Sequence, residues 1–272
     1  LKISRRKFIY SGLLSLTGLA FLDAFIFESY FIEVNDFVLN SHVPPADRIK
    51  AIQISDLHLK SVLHYHQNLC KKITDLEPDI LFFTGDAIDD NRNLDAFNTF
   101  LQLLPPSVPK VAILGNWEYW GKVDIDQLRN MYERHNGTLL INKHKLYAIK
   151  NRSIAVSGTD DFVGGRANIE LAMPEPVAFD YHVVLNHCPQ YSEVLPFQIN
   201  KKIPIDLILS GHTHGGQVNL LGFIPFLPQG SGKYVSGWYQ DQHKNLYVSK
   251  GIGTSILPVR FGARAEISVF NF

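Results

Sequence analysis

Five short apolar runs in this chain each end on a carboxylate, imidazole or carboxamide side chain. That repetition is the strongest constraint on its fold. Residues 49–54 run into Asp56 and His58, and residues 79–83 into Gly85 and Asp86. Residues 111–114 lead to Gly115 and Asn116, residues 181–185 to Asn186 and His187, and residues 205–210 to Gly211, His212 and His214. Near-continuous stretches of Ile, Leu, Val and Phe of this length read as strands buried on both faces. In layered α/β proteins, ligand sites collect beyond the carboxyl ends of such strands. Five runs ending in this way predict one site assembled along one edge of the sheet structure.

The intervening sequence supports layering. Helical patterns over 65–76, 94–104 and 124–135 alternate with the first strands, and Glu77-Pro78 and Pro105-Pro106 stop the first two. The second half is richer in strands, expected at 145–149, 153–158, 181–186, 205–210, 246–249 and 266–272. A length of 272 residues, less about 30 for an unusual N-terminal segment, fits one α/β domain with a large core. The two cysteines, Cys70 and Cys188, form no pairing pattern and leave the redox compartment open. The formal net charge is zero, with no long basic block in the body, which disfavours a nucleic-acid backbone binder.

Gly211-His212-Thr213-His214-Gly215-Gly216 is the densest of the five endings. A tight glycine-flanked loop lets both imidazoles enter one site, and neutral imidazole is a common ligand for borderline transition metals. Together, Asp56-x-His58, Gly85-Asp86, Gly115-Asn116, His187 and Gly211-His212-x-His214 resemble the calcineurin-like metallophosphoesterases in order and spacing, from about residue 50 onward. The resemblance implies a four-layer α/β/β/α sandwich of two mixed sheets flanked by helices. It implies that Asp56, His58 and His214 hold one divalent metal, that Asn116, His187 and His212 hold a second, and that Asp86 bridges them. Asp86, Asn116 and His187 would form the catalytic set.

The implied activity is hydrolysis of phosphodiester or pyrophosphate bonds by a metal-bridging hydroxide. Two cations roughly 3.5–4 Å apart suit that chemistry, since they clamp both the attacking and leaving oxygens. Mixed nitrogen and oxygen donors suit manganese, iron or zinc, and the lack of cysteine ligands argues against structural zinc. Cys188, followed by Pro189, reads as a packing residue.

One position departs from the family. Its third motif usually reads Gly-Asn-His followed by an acid, and here it is Gly115-Asn116-Trp117-Glu118. Indole donates a hydrogen bond but cannot supply a proton at neutral pH. Either the bond cleaved has a good leaving group, or another residue donates the proton, with Glu118, His64 and His66 as candidates. Related UDP-diacylglucosamine hydrolases also lack histidine there, so activity is expected. The alternative is a catalytically impaired metal-binding interaction domain, with Trp117 marking lost chemistry.

The N-terminus reads separately from the body. Ser4-Arg5-Arg6-Lys7-Phe8 resembles a twin-arginine export signal, and residues 11–27 add a moderately apolar stretch interrupted by Asp23. Residues 1–30 are therefore expected to be a signal or membrane anchor, and residues 31–272 the catalytic domain. An amphipathic helix lying on the domain is the other reading. The expected location is membrane-associated, at the inner membrane, and periplasmic or extracytoplasmic if the signal functions.

Four further features stand out. The run 220–228 is an apolar, proline-broken loop that either binds an acyl chain or membrane or packs over the sheet. A lipid-linked phosphate ester such as UDP-2,3-diacylglucosamine is an expected substrate class. Asp160-Asp161 reads as a turn. Arg264 and Arg260 are candidates either to hold substrate phosphate or to make surface ion pairs, and Trp117 is a candidate for substrate contact.

Overall fold

The computed structural model describes residues 4–22, 28, 31–175, 178–195, 203–220, 222–241 and 244–272. Its strands form two six-stranded sheets. The first contains β1 (Glu33–Val38), β2 (Lys50–Ile54), β3 (Ile80–Thr84), β4 (Lys110–Ile113), β5 (Gly137–Leu139) and β12 (Glu266–Asn271), in the order β1-β12-β2-β3-β4-β5. The second contains β6 (Lys143–Ile149), β7 (Arg152–Gly158), β8 (Tyr181–Leu185), β9 (Leu207–Ser210), β10 (Gly237–Asp241) and β11 (Lys244–Val248), in the order β10-β11-β9-β8-β7-β6. Both sheets are mixed. β2 through β5 are parallel and β12 runs antiparallel to β2, while β7, β8, β9 and β11 are parallel with antiparallel β6 and β10 at the edges.

The layering follows from strands that are apolar on both faces. In β3, Ile80 and Phe82 face the second sheet, packing with Val183, Leu185, Leu207 and Leu209. Its alternate residues Leu81 and Phe83 pack outward with Leu69, Ile73, Phe97, Leu128 and Tyr132. Those side chains come from the helices His64–Asp75, Leu94–Gln102 and Ile125–Arg134, which cover the outer face. Val184, Ile208 and Leu246 of the second sheet pack with Ile169, Ala172 and Tyr191. Among the described residues, that fourth layer is thin: the short helix Ile169–Ala172 and the 3₁₀ turn Pro189–Glu193. The expected α/β/β/α sandwich is therefore the fold observed, with unequal flanks.

The sequence reading omitted β1, β5 and β10. Trp238 is in β10 and packs edge-on against Phe37 and Phe270 between the sheets. The helix 94–104 ends earlier than expected, at Gln102. At the N-terminus a helix spans Arg5–Leu22, with Ile9, Tyr10 and Leu14 exposed. Part of the apolar stretch 11–27 lies outside the described residues. Among the described residues no helix is long and apolar enough to cross a membrane.

The architecture places β2, β3 and β4 side by side in one sheet and β8 and β9 side by side in the other. Their carboxyl ends meet across the seam between the sheets. The buried Gln53 of β2 crosses that seam, its Nε2 donating to Ser210 O and Thr84 Oγ1, both at 2.9 Å.

Candidate metal centre

Each ending contributes its side chain from an abrupt turn. Asp56, His58, Asp86, His212 and His214 all lie in the left-handed backbone region, at φ of 53, 45, 52, 74 and 52°. Non-glycine residues adopt this region rarely and at a cost, so five instances in one site mark a functional constraint. Two glycines make the close approach possible. Gly85, at φ 93°, leaves no room for a Cβ, which would come within 2.5 Å of His187 Nδ1. A Cβ at Gly211 would fall on Ser55 Oγ.

The seven residues converge, and all are buried. His58 Nε2 lies 3.0 Å from His214 Nε2, which is 3.6 Å from Asp56 Oδ1. His187 Nε2 lies 3.2 Å from both Asn116 Oδ1 and His212 Nδ1. Asp86 Oδ2 sits between the two halves, 3.8 Å from His58 Nε2 and 3.2 Å from His187 Nε2. Its other oxygen, Oδ1, accepts the Trp117 backbone N–H at 2.9 Å. Asp56, His58 and His214 thus make one ligand-like group, and Asp56, Asp86 and His187 a second.

The outer nitrogens decide what the inner ones can do. His58 Nδ1 meets Asp89 Oδ1 at 2.5 Å, His187 Nδ1 meets Thr84 O at 2.7 Å, and His212 Nε2 meets Gln229 O at 2.8 Å. Each partner is an acceptor, so each imidazole donates outward and presents its other nitrogen to the cluster, where a bound cation would take the place of a proton. Metal-ligating histidines are oriented in this way. His214 differs, because Arg260 Nη2 lies 3.4 Å from its Nδ1. This donor set of nitrogens and carboxylate oxygens fits two divalent cations.

Burial opposes charge throughout the cluster. It raises Asp56 above the ordinary carboxylate range. At Asp86 burial is the largest single influence, but His187, His58 and His212 together outweigh it and hold the carboxyl below its ordinary value. His187 is raised well above its usual value because Asp86 and Asp56 overcome the burial, whereas burial drives His214 well below, reinforced by His58 and Arg260. Such concentrated, mutually dependent ionisation characterises functional sites rather than packing.

The remaining sequence candidates sort clearly. Trp117 is half-buried and lines a cavity of 680 Å³ together with Asp86, Asn116, His212 and His214. Arg264 is exposed and does not line that cavity. Its neighbour Arg260 is fully buried and donates to the carbonyls of Lys250, Ala263 and Gly253, so it is a loop clamp rather than a phosphate ligand or surface ion pair. Glu118, His64 and His66 are not placed as proton donors. His64 is exposed beside Gln67, and His66 Nδ1 accepts from Leu63 N at the start of its helix.

Glu118 instead accepts from the backbone N–H groups of Asp86, Ala87, Ile88 and Gly115, at 3.2, 2.6, 3.3 and 2.8 Å. Asp160 and Asp161 form the expected turn, with Asp161 Oδ2 accepting from Val163 N and Gly164 N. Cys188 Sγ lies near His187 and His212 but donates to Asp161 Oδ1 at 3.2 Å. Burial pushes its thiol well up, which keeps it protonated. Asp89, Glu118 and Arg260 are the supporting residues that no local pattern had marked for these roles.

Two facing mixed sheets carrying a His, Asp and Asn cluster at their shared seam define a metal-dependent phosphoesterase architecture. The sequence profile of the calcineurin-like phosphoesterases matches residues 49–216, and the chain belongs to that family. It is 29% identical to the metallophosphoesterase YkuE of Bacillus subtilis (strain 168), over 99% of this chain and 98% of that one. A metallophosphoesterase of Aquifex aeolicus (strain VF5) is 30% identical over 89% of this chain and 92% of its own. The phosphodiesterase YaeI of Escherichia coli (strain K12) is 30% identical over 72% of this chain and 70% of its own.

Proposed function

We propose that this metal-dependent phosphoesterase hydrolyses phosphodiesters, with pyrophosphates as the neighbouring class, at two divalent cations held by the seam cluster. The observation that carries this reading is the set of three imidazoles anchored outward by Asp89, Thr84 and Gln229, with the inner nitrogens of His58 and His187 turned toward Asp86 and that of His212 toward His187. Asp56, His58 and His214 would hold one cation, Asn116, His187 and His212 the other, and Asp86 Oδ2 would serve both. The diesterase assignment draws on the name of YaeI. When bound, the cations would supply hydroxide from water at neutral pH and neutralise charge on the phosphoryl oxygens.

The protein's own part is orientation and exclusion. The Trp117 backbone N–H fixes one oxygen of Asp86 and thereby aims the other between His58 and His187. The Trp117 ring meets His58 edge-on at 5.9 Å and Trp120 at 5.5 Å, walling the cavity with apolar surface where the family carries imidazole. That wall offers no proton to a leaving alkoxide, which favours substrates with good leaving groups. A lipid-linked substrate is the finer candidate: UDP-2,3-diacylglucosamine, a cytoplasmic pyrophosphate, if the N-terminal segment anchors the protein facing inward, and an extracytoplasmic lipid phosphodiester if it faces outward. Inner-membrane association through the N-terminal segment, facing outward if its twin-arginine-like signal works, is part of the same proposal.

The primary test is metal content together with hydrolysis of bis-(p-nitrophenyl) phosphate, with and without added manganese. Near two metals per chain with metal-dependent turnover is the expected result. Two bound metals without turnover would support the interaction-domain alternative. Trp117→His should raise hydrolysis of alkyl diesters by about tenfold, short of the 10²–10⁴ available to general acids, and leave activated aryl diesters nearly unchanged. An equal gain on both sinks the leaving-group account. Asp89→Asn, which removes the outward charge on His58, should weaken metal affinity by about 10–100-fold in a manganese titration. Unchanged affinity would exclude Asp89 from the positioning role.

A further inference from the structure

The cavity beside Asp86 changes character away from the cluster. Its outer wall is made by Trp117, Trp120, Pro225, Phe226, Ile256 and Leu257. The rim is unusually open: Phe226, Ile256 and Leu257 are 70, 77 and 58% exposed and Trp120 54%, and Phe223, three residues before Phe226 on the same loop, is 67% exposed. Exposed apolar side chains scattered singly need no explanation, but a contiguous group at a cavity mouth marks an interaction surface. The loops that carry them are laced together. Gln217 Nε2 donates to Leu257 O, Phe261 N to Gln217 O, and Asn219 N to Phe261 O.

Two independent observations say what this rim faces. The first is charge. The stretch 211–265, which supplies nearly all of it, contains a single acidic residue, Asp241, although the chain has 26. It also contains Arg264, which is exposed, and Lys233, which is exposed and lies 4.0 Å from Glu193 Oε1. An apolar rim whose own loops carry more cations than carboxylates complements an anionic lipid surface. The second is continuity. Glu28, the buried residue that follows the N-terminal helix, is pinned to this same loop. Its Oε2 accepts Ala263 N at 3.0 Å and its carbonyl accepts Ala265 N at 3.2 Å. The segment carrying Arg5, Arg6 and Lys7 therefore joins the body on the loop that also carries Ile256 and Leu257.

We propose that the rim formed by Phe223, Phe226, Ile256 and Leu257 is a docking surface for an anionic phospholipid bilayer. The cavity then opens onto the lipid and receives the apolar limb of a membrane-resident phosphodiester. This substrate half rests on the phosphodiesterase reading, whereas the docking half does not. Cavity chemistry narrows the substrate further. Among the described residues no Lys or Arg lines the cavity, so none there neutralises a second phosphate. The geometry favours a singly charged diester with a hydrocarbon limb over a lipid-linked pyrophosphate.

The test uses the full chain and flotation with phosphatidylglycerol–phosphatidylcholine vesicles, with phosphatidylcholine vesicles alone for comparison. The protein should float with both and partition more strongly onto the anionic ones. A Phe223→Ser, Phe226→Ser, Ile256→Ser triple variant should lose at least about tenfold in partition, since each buried side chain of this kind is worth roughly that factor. Leu63→Ser, which removes an exposed apolar side chain elsewhere, should change nothing. Unaltered melting temperatures would show that the variants fold. Wild-type partition by the triple variant overturns the docking surface. So does equal loss in Leu63→Ser, or a solution dimer that the triple variant disperses, because a second copy would then cover the rim. Absent metal-dependent hydrolysis of soluble diester, with vesicle binding intact, would instead strike the phosphodiesterase reading and leave docking standing.

Discussion

Asp86→Asn is expected to lower metal-dependent hydrolysis of bis-(p-nitrophenyl) phosphate by about 10³ and to reduce bound metal below two per chain. Loss of one preorganised electrostatic contact typically costs about 10²–10³ in rate, and Asp86 faces both halves of the cluster. Its Oδ2 lies 3.8 Å from His58 Nε2 and 3.2 Å from His187 Nε2. Asparagine keeps the oxygen that accepts the Trp117 N–H but turns a neutral donor-bearing amide toward the imidazoles. The fold should therefore survive while the site fails, and calorimetry on the metal-free variant would separate the two. Retained turnover with unchanged metal content would remove Asp86 from the bridging position.

Glu118→Gln should have the largest effect on stability, about 3–5 kcal/mol, with a fall in melting temperature on the order of 10 °C. The carboxylate accepts four backbone N–H groups from two separate loops in a fully buried site. A carboxamide can present only one oxygen, so its NH₂ group would oppose two of those donors, and each unsatisfied buried group costs about 1–3 kcal/mol. Burial, and then the nearby charge of Asp86, already raise Glu118 to about 7. The neutral carboxamide avoids that electrostatic penalty, which keeps the expected loss well short of the sum over all four bonds. A thermal shift below about 2 °C would mean the cradle relaxes around the amide and that Glu118 does not tie the loops together.

The candidate ligands were legible because each follows a strand whose residues are apolar on both faces. β2, β3, β4, β8 and β9 are interior strands, and their burial on two sides produces continuous runs. The strands that were missed are a different kind. β1, β5 and β10 are sheet edges with one partner each, and β1, Glu-Val-Asn-Asp-Phe-Val, is polar at half its positions. Edge strands tolerate polar residues because one side of the ladder meets solvent or a loop. Residues acting through others were illegible for a further reason. Asp89 matters only because His58, 31 positions away, turns its outer nitrogen toward it, and Arg260 only because its carbonyl partners surround it in space. Arg264 was singled out beside Arg260, and only folding reveals which of the two points inward.

The left-handed turns at Asp56, His58, Asp86, His212 and His214 imply an opposition between endurance and purpose. At such backbone angles glycine would relieve the conformational penalty that a side chain incurs. Glycine at the histidine positions would remove that penalty but leave a buried cavity in place of each imidazole, a larger loss. Consensus-style stabilisation should therefore leave these five positions untouched and seek its gains at the opposite ends of the strands, for example at the Lys150–Asn151 turn between β6 and β7, where the same positive φ serves no ligand.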